Sequence, residues 1–425
     1  MADQEEARPT KKARGSSPPP AMGSGSLTAF ALRLAKKLAE GDDTMNSNIA
    51  FSPLSLYTTL GLVAAGAHGR TLDELLALLG AAADEVARFV RGLAADPSGS
   101  GGPIITYAYG VFHQKHMELT PDFLHTATES YSAEIRAVDF AKDEVREETR
   151  KEINLWAAAA TNNLILEILP EGSLTDLSRF VLTNAIYFKG AWETRFPKKL
   201  TEDREFYRLD GADPVEVPFM TLPGECQLFV SYNEGFKVLK LPYKAGDDAM
   251  SRYSMCVFLP DEEEGLHDMV RSLEEVGGSL LDHVPMYHSS VREILLPMFK
   301  LSFFCGLSKV LRGLGVQEAF SKEADLSGIM EKSVCDVRLD EEVSGAVVFS
   351  VCDVRLDEVF HKAVVEVNEE GTVAAACTAV VGRKKQCARR SLEFIADHPF
   401  AFYIVEEVSG AVVFAGHVLD PSSSQ

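Results

Sequence analysis

Between residues 369 and 385 the chain places side chains with little power to hold one shape directly upstream of a cationic run. Glu369-Glu370-Gly371-Thr372-Val373-Ala374-Ala375-Ala376-Cys377-Thr378-Ala379 leads within a few residues into Arg383-Lys384-Lys385. Between Glu370 and Glu393 there are five cations and no acid, in a chain whose formal charge is -21. The pairing suits a bait loop. Successive strand residues alternate faces, so Thr372, Ala374, Ala376 and Thr378 would share one side and Val373, Ala375, Cys377 and Ala379 the other. Such a segment could wait as a loop and later slide between two strands without overpacking, because each surplus methylene in a tight core costs about 1–3 kcal/mol. Two blander readings stay open on these residues alone. Ala is the best helix former, so the small residues also suit a linker or a short helix, and the basic run also suits a solvated anion-binding patch.

The rest of the chain must supply the scaffold. At 425 residues, 46% of them hydrophobic, it has ample material for a core, and no composition break divides it after the N-terminal tail. One large domain over 26–421 is expected, between a disordered tail at 1–25 and a short one at 422–425. No apolar stretch is long enough to span a bilayer, so a soluble chain with no membrane partner is expected. Net acidity disfavours nucleic acid as a partner, since neutralising phosphates needs a clustered excess of Lys and Arg. Seven cysteines, at 226, 256, 305, 335, 352, 377 and 387, form no C-x-x-C pair and are odd in number. Neither a metal site nor a disulfide framework is expected, and no cofactor; the thiols read as free in a reducing compartment. Residues 1–25 hold charges, prolines and serines without an apolar stretch, unlike a secretory signal peptide. Arg8-Pro9-Thr10-Lys11-Lys12-Ala13-Arg14 has the composition of a nuclear address.

Helical spacing of Leu27, Phe30, Ala31, Leu34 and Leu38 predicts a helix from Ser26. Further helices are predicted over 53–65, 71–79 and 144–169, and a loop over 96–103. Strands are predicted over 180–188, 253–259, 293–304, 364–367 and 401–418. Helices first and strands later indicate an α+β class. A Walker phosphate loop, an H-E-x-x-H pair and a G-x-S-x-G elbow are all missing from the sequence. No catalytic residues are assigned, and the chain is not expected to be an enzyme.

His361-Lys362-Ala363 followed by Val365-Glu366-Val367-Asn368-Glu369-Glu370-Gly371-Thr372 resembles the strand and hinge preceding the reactive-centre loop of serpins. Asn48-Ile49-Ala50-Phe51-Ser52-Pro53-Leu54-Ser55, Thr183-Asn184-Ala185-Ile186-Tyr187-Phe188-Lys189-Gly190-Ala191-Trp192 and Asp397-His398-Pro399-Phe400 fall in that family's order. Leu241-Pro242-Tyr243 and the hinge are similar to the cereal Z-type plant serpins. The resemblance implies a serpin fold: three β-sheets with about eight or nine helices and an exposed loop at about 371–391. It implies a monomer that traps a target protease, which cuts the loop, forms an acyl-enzyme and is carried off as the loop inserts into the central sheet. Strain stored in the native fold drives such insertion. By the same resemblance Glu369, Glu370, Gly371, Thr372, Ala374, Ala375, Ala376 and Thr378 form the hinge. Val373 and Cys377 depart from the family's pattern. Ser52, Ser55, Asn184 and His361 match a structural cluster beneath the opening of the central sheet, and Trp192 the aromatic where the loop enters. Counting forward from the hinge places the reactive bond at Lys385–Gln386; counting back from Asp397 places it nearer Arg383 and Lys384. Either leaves a cation for the acid of a trypsin-like pocket, so the implied partner is a trypsin-like serine protease or a basic-specific cysteine protease. A cytoplasmic or nuclear location is expected, although relatives without signal peptides also occur outside cells.

One feature is foreign to the family. Residues 333–341 recur unchanged as 350–358, and 341–349 are identical to 406–414, so that 342–358 reads as a seventeen-residue insertion. Its side chains hold nothing to tell one copy from the other, which invites mispairing.

Overall fold

The computed structural model describes residues 24–41, 44–93, 102–140, 143–163, 165–175, 178–246, 251–275, 280–330, 355–356, 359–372 and 392–423. The 96–103 loop lies mostly outside them, as do 342–354 of the insertion, 373–391 of the loop and most of the N-terminal tail.

Among the described residues are eight α-helices: α1 (Ser24–Ala39), α2 (Pro53–Ala64), α3 (Gly69–Leu79), α4 (Ala83–Leu93), α5 (Pro121–Tyr131), α6 (Asp143–Ala160), α7 (Leu266–Glu275) and α8 (Ser308–Gly313). The stripe Leu27, Phe30, Ala31, Leu34 and Leu38 is buried, as its spacing requires. All twelve residues of α2 are buried. This helix starts where it does because the Ser52 hydroxyl accepts the Ser55 amide at 3.1 Å and Pro53 presets the first turn.

The predicted helix over 144–169 is shorter in the structure, ending at Ala160. Asn162 and Asn163 take positive φ of 50° and 62°, which stops the helix. The chain then folds back, and the Asn154 side chain bonds the amides of Ile168 and Leu169, both at 2.9 Å.

Among the described residues sixteen strands form three sheets, two of them joined at one edge. The central one has the order β11-β12-β13-β4-β2-β3, from β11 (Phe299–Gly306), β12 (Phe360–Asn368), β13 (Gly371–Thr372), β4 (Phe180–Ala191), β2 (Ile104–Gln114) and β3 (Glu134–Val138). A second runs β1 (Ile49–Phe51), β16 (Val412–Val418), β15 (Phe400–Glu406), β9 (Tyr253–Pro260), β8 (Phe236–Pro242) and β7 (Cys226–Asn233). The third joins β14 (Leu392–Ile395), β10 (Ser289–Pro297), β6 (Val215–Met220) and β5 (Glu202–Phe206). A three-residue ladder between Ser289–Val291 and Cys226–Leu228 links the last two along their edges.

The run predicted as 293–304 is two strands, β10 and β11, divided at Met298. The run at 401–418 is a hairpin. Its chain reverses at 407–411, where the Glu406 carboxylate accepts the amides of Val408 and Ser409 and Gly410 takes φ 76°. Every residue of β15 and β16 is buried, because both faces of this hairpin are covered. A second cluster, including Phe112, Ile153, Ala157 and Ile168, sits between α6 and the central sheet. No described helix is long and apolar enough to cross a membrane.

Candidate functional site: the hinge slot of the central sheet

The two residues of β13 are the pivot of the central sheet. The chain leaves β12 at Asn368, whose side-chain oxygen accepts the Glu370 amide at 3.0 Å and so closes a tight turn. It returns as Gly371 and Thr372. Thr372 lies opposite Val367 on one side and Gly190 on the other, and Gly371 opposite Asn368 and Ala191. No ladder joins β12 directly to β4 among the described residues. β13 alone connects them.

Glycine is required at 371. Its φ is +149°, and a Cβ built there would lie 2.1 Å from the Gly190 carbonyl oxygen. Gly190 is also required, since its Cβ would meet the Tyr243 ring at 2.6 Å. Tyr243 stacks on Trp192 with ring centroids 4.6 Å apart, and its hydroxyl pairs with that of Thr372 at 2.8 Å. Thr372 is 2% exposed, so this hydroxyl pair satisfies groups that water does not reach. Burial pushes the Tyr243 phenol far above its ordinary value, which keeps it a neutral partner.

The turn itself is tied down by five contacts. The Trp192 indole N–H donates to the Asn368 carbonyl at 2.9 Å, the Trp192 amide to Glu370 at 3.0 Å, and the Phe196 amide to Glu369 at 3.0 Å. The Glu369 carboxylate accepts the Thr201 hydroxyl at 2.9 Å, and Glu370 meets Lys198 at 2.7 Å. The Lys198 ammonium holds the Glu370 carboxyl below its ordinary value.

About 20 Å away, six residues along β12 at roughly 3.3 Å each, lies the polar cluster. His361 is 2% exposed, and its Nε2 accepts the Ser52 amide at 3.0 Å. That bond fixes a neutral ring with the proton on Nδ1. Ser52 Oγ donates to the Val413 carbonyl at 2.6 Å, and the Asn184 amide donates to the Ser55 carbonyl at 2.9 Å and to the Thr59 hydroxyl at 3.3 Å. The Ser55 hydroxyl and the Asn184 carbonyl oxygen are buried without a partner. The cluster therefore holds unused capacity for hydrogen bonds beneath the slot.

The structure thus gathers Ser52, Ser55, Asn184 and His361 at one end of the slot, and Trp192, Glu369, Glu370, Gly371 and Thr372 at the other. Ala374, Ala375, Ala376, Thr378, Arg383, Lys384, Lys385 and Gln386 lie outside the described residues. Lys198, Thr201 and the role of Tyr243 escape sequence reasoning, since their hinge partners Glu370, Glu369 and Thr372 are more than a hundred residues away along the chain. Cys226, Cys256 and Cys305 are unbridged, and no cluster of metal-ligating side chains occurs among the described residues.

Comparison with known proteins agrees with this architecture. Residues 25–421 match the family model Serpin (serine protease inhibitor). Serpin-Z2A of Oryza sativa subsp. japonica is 45% identical, over 94% of this chain and 98% of the rice protein. Serpin-Z1B of Triticum aestivum is 40% identical, over 93% and 95%. Among solved structures, Arabidopsis AtSerpin1 in its native stressed conformation superposes with a TM-score of 0.80 at 35% identity, covering 94% of this chain and 98% of that one. Serpin48 of the insect Tenebrio molitor gives 0.75 at 26% identity, covering 93% and 97%.

Proposed function

Because the chain belongs to the serpin family, we propose that it is a suicide-substrate inhibitor of endopeptidases that cut after a basic residue, acting by loop cleavage and insertion rather than by catalysis. The observation that carries this reading is the register of β13. Continued in the same register, the chain would set Ala374 between Val365 and Phe188, Ala376 between Ala363 and Ile186, and Thr378 between His361 and Asn184. Val365, Phe188, Ala363, Ile186 and His361 are all buried. Small side chains at 374 and 376 fit between such neighbours without overpacking. A threonine hydroxyl at 378 would arrive beside the unpartnered Asn184 oxygen. In this reading the hinge residues and the polar cluster are two ends of one track, and Gly371 and Thr372 are its first occupied places.

Cleavage after Lys385, or after Arg383 or Lys384, would free the segment to follow them. Incubation with trypsin tests this. The expected result is a covalent complex that survives a denaturing gel, with mass spectrometry of the released fragment locating the cut at Lys385–Gln386. Cleavage without a complex would overturn the inhibitory reading.

A second reading has a specific support in the insertion: a serpin-fold protein that is only cleaved or acts as a binding module. Leu356, in the second copy of the repeat, packs against the core and its amide donates to the Ala319 carbonyl at 2.9 Å just before β12 begins. Leu339 in the first copy has identical neighbours in sequence, so either copy can claim that place, and a misplaced copy would shift the strand that feeds the hinge. Deleting 342–358 is expected to raise the yield of folded protein and to lower the moles of inhibitor needed per mole of trypsin. If neither measure changes, the insertion does not interfere.

A further inference from the structure

The two most exposed large apolar side chains among the described residues are neighbours, Tyr287 at 83% and Met286 at 79%. Single exposed apolar residues need no explanation, but an adjacent pair on an anchored loop does. Anchoring here is tight. The Ser231 hydroxyl donates to His283 at 3.1 Å, the Ser289 hydroxyl donates to Val230 at 3.2 Å, and the His288 ring lies over Phe229 with centroids 3.9 Å apart.

The position of this tip follows from topology. β14 runs parallel to β10, with Leu392 opposite Val291. The chain entering β14 and the chain entering β10 therefore emerge at the same end of the sheet. The chain entering β14 is the tail of the loop read above as the protease's bait. Tyr287 is four residues before Val291, about 13 Å at roughly 3.3 Å per residue. Gln386 is six residues before Leu392, at most about 20 Å by the same rise. A protease domain of roughly 220 residues has a radius of gyration of about 17 Å and a diameter of about 44 Å. A protease seated on the reactive bond would thus reach over the tip. Tyr232, 48% exposed, extends the apolar surface toward the loop, its hydroxyl donating to the Glu393 carbonyl at 2.5 Å and accepting the Glu393 amide at 3.1 Å.

We propose that Met286 and Tyr287 form a second contact face for the inhibited protease, a trypsin-fold domain whose cleft rim packs on them while the loop occupies its cleft. The inference rests on reading 373–391 as a protease substrate and adds a docking surface outside that segment. Its effect is on capture. Tyrosine and methionine are both enriched at interfaces, and tyrosine in particular buries much area at little cost in side-chain order.

The test is the double variant Met286→Ser with Tyr287→Ser, assayed with trypsin by the kcat/KM of attack on the loop. Attack is read as the association rate if a stable complex forms and as the rate of cutting if it does not. A fall of about tenfold is expected, with the thermal midpoint and the inhibitory stoichiometry unchanged. Leu155→Ser, which removes a comparably exposed leucine on α6, is expected to leave the rate within twofold of the wild type. A double variant within twofold, or an equal fall for Leu155→Ser, overturns the proposal. A wild type that trypsin cuts without a stable complex sinks the inhibitory reading alone, and a loop that trypsin does not cut sinks both.

Discussion

Replacing Thr372 with arginine is expected to turn an inhibitor into a substrate: trypsin will cut the loop, the acyl-enzyme will hydrolyse, and no complex will survive a denaturing gel. Thr372 is 2% exposed in the middle of the central sheet and spends its hydroxyl on Tyr243 at 2.8 Å. An arginine there would need a bulky cation between β12 and β4, against the stacked pair of Trp192 and Tyr243, with no described carboxylate aimed into that place. An unpaired buried charge costs several kcal/mol, so the arginine would leave the slot in the uncleaved chain and the cost would fall on its re-entry during insertion. Trapping is a race between insertion and deacylation, and each 1.4 kcal/mol added to the insertion barrier slows it about tenfold. A cost of only about 3 kcal/mol would therefore lose the race by roughly two decades. Thr372→Ser keeps the hydroxyl and is expected to keep inhibiting. A stable complex formed by Thr372→Arg would show that insertion does not pass through this slot.

How much of this was legible in the sequence depends on how local the cause of each feature is. The stripe of α1 follows from spacing alone, and the hinge motif from its resemblance to a known pattern. The early stop of α6 also had a local signal in the pair Asn162-Asn163, which tolerates left-handed backbone. The strand β13 had none. Two residues, glycine and threonine, carry no periodicity; they are a strand only because β12 and β4 stand on either side with free edges. Likewise Lys198 and Thr201 read as ordinary surface residues until the fold sets them against Glu370 and Glu369. Helices α4 and α7 could have been found, since Val86, Phe89 and Val90 and then Leu266, Met269, Val270 and Leu273 have amphipathic spacing and are buried. Tyr243 sits in a recognised tripeptide, yet its use as a partner for the hinge is a property of three strands together.

Acidification is expected to destabilise the chain between pH 7 and 5, earlier than carboxylate titration would do it. Burial lowers the pKa of His361 from 6.5 to about 4 and that of His417 to about 3. Each is 2% exposed or less, and neither ring nitrogen of His417 has a hydrogen-bond partner. The nearby His267, itself lowered mainly by burial, further disfavours a charge on His417. Because the folded chain holds these rings neutral while the unfolded chain protonates them near 6.5, the unfolded state binds more protons below that pH. Stability is full above about pH 6.5 and declines as pH falls toward the folded-state values. Each ring accounts for about 2 kcal/mol by pH 5, a large share of the 5–15 kcal/mol typical of a folded domain. The lowered carboxyls of Glu74, Glu134, Glu147 and Glu370 start from 4.5 and act only below this window. For His361 the loss has a second consequence. Protonation of Nε2 removes the acceptor of the Ser52 amide at the end of the insertion track, loosening β12 from α2 where the loop must arrive. Thermal midpoints measured at pH 7, 6 and 5 are expected to fall steadily in the wild type, with a slope reduced by about half in His361→Gln. A flat wild-type profile across that range would mean that neither ring is held neutral by the fold.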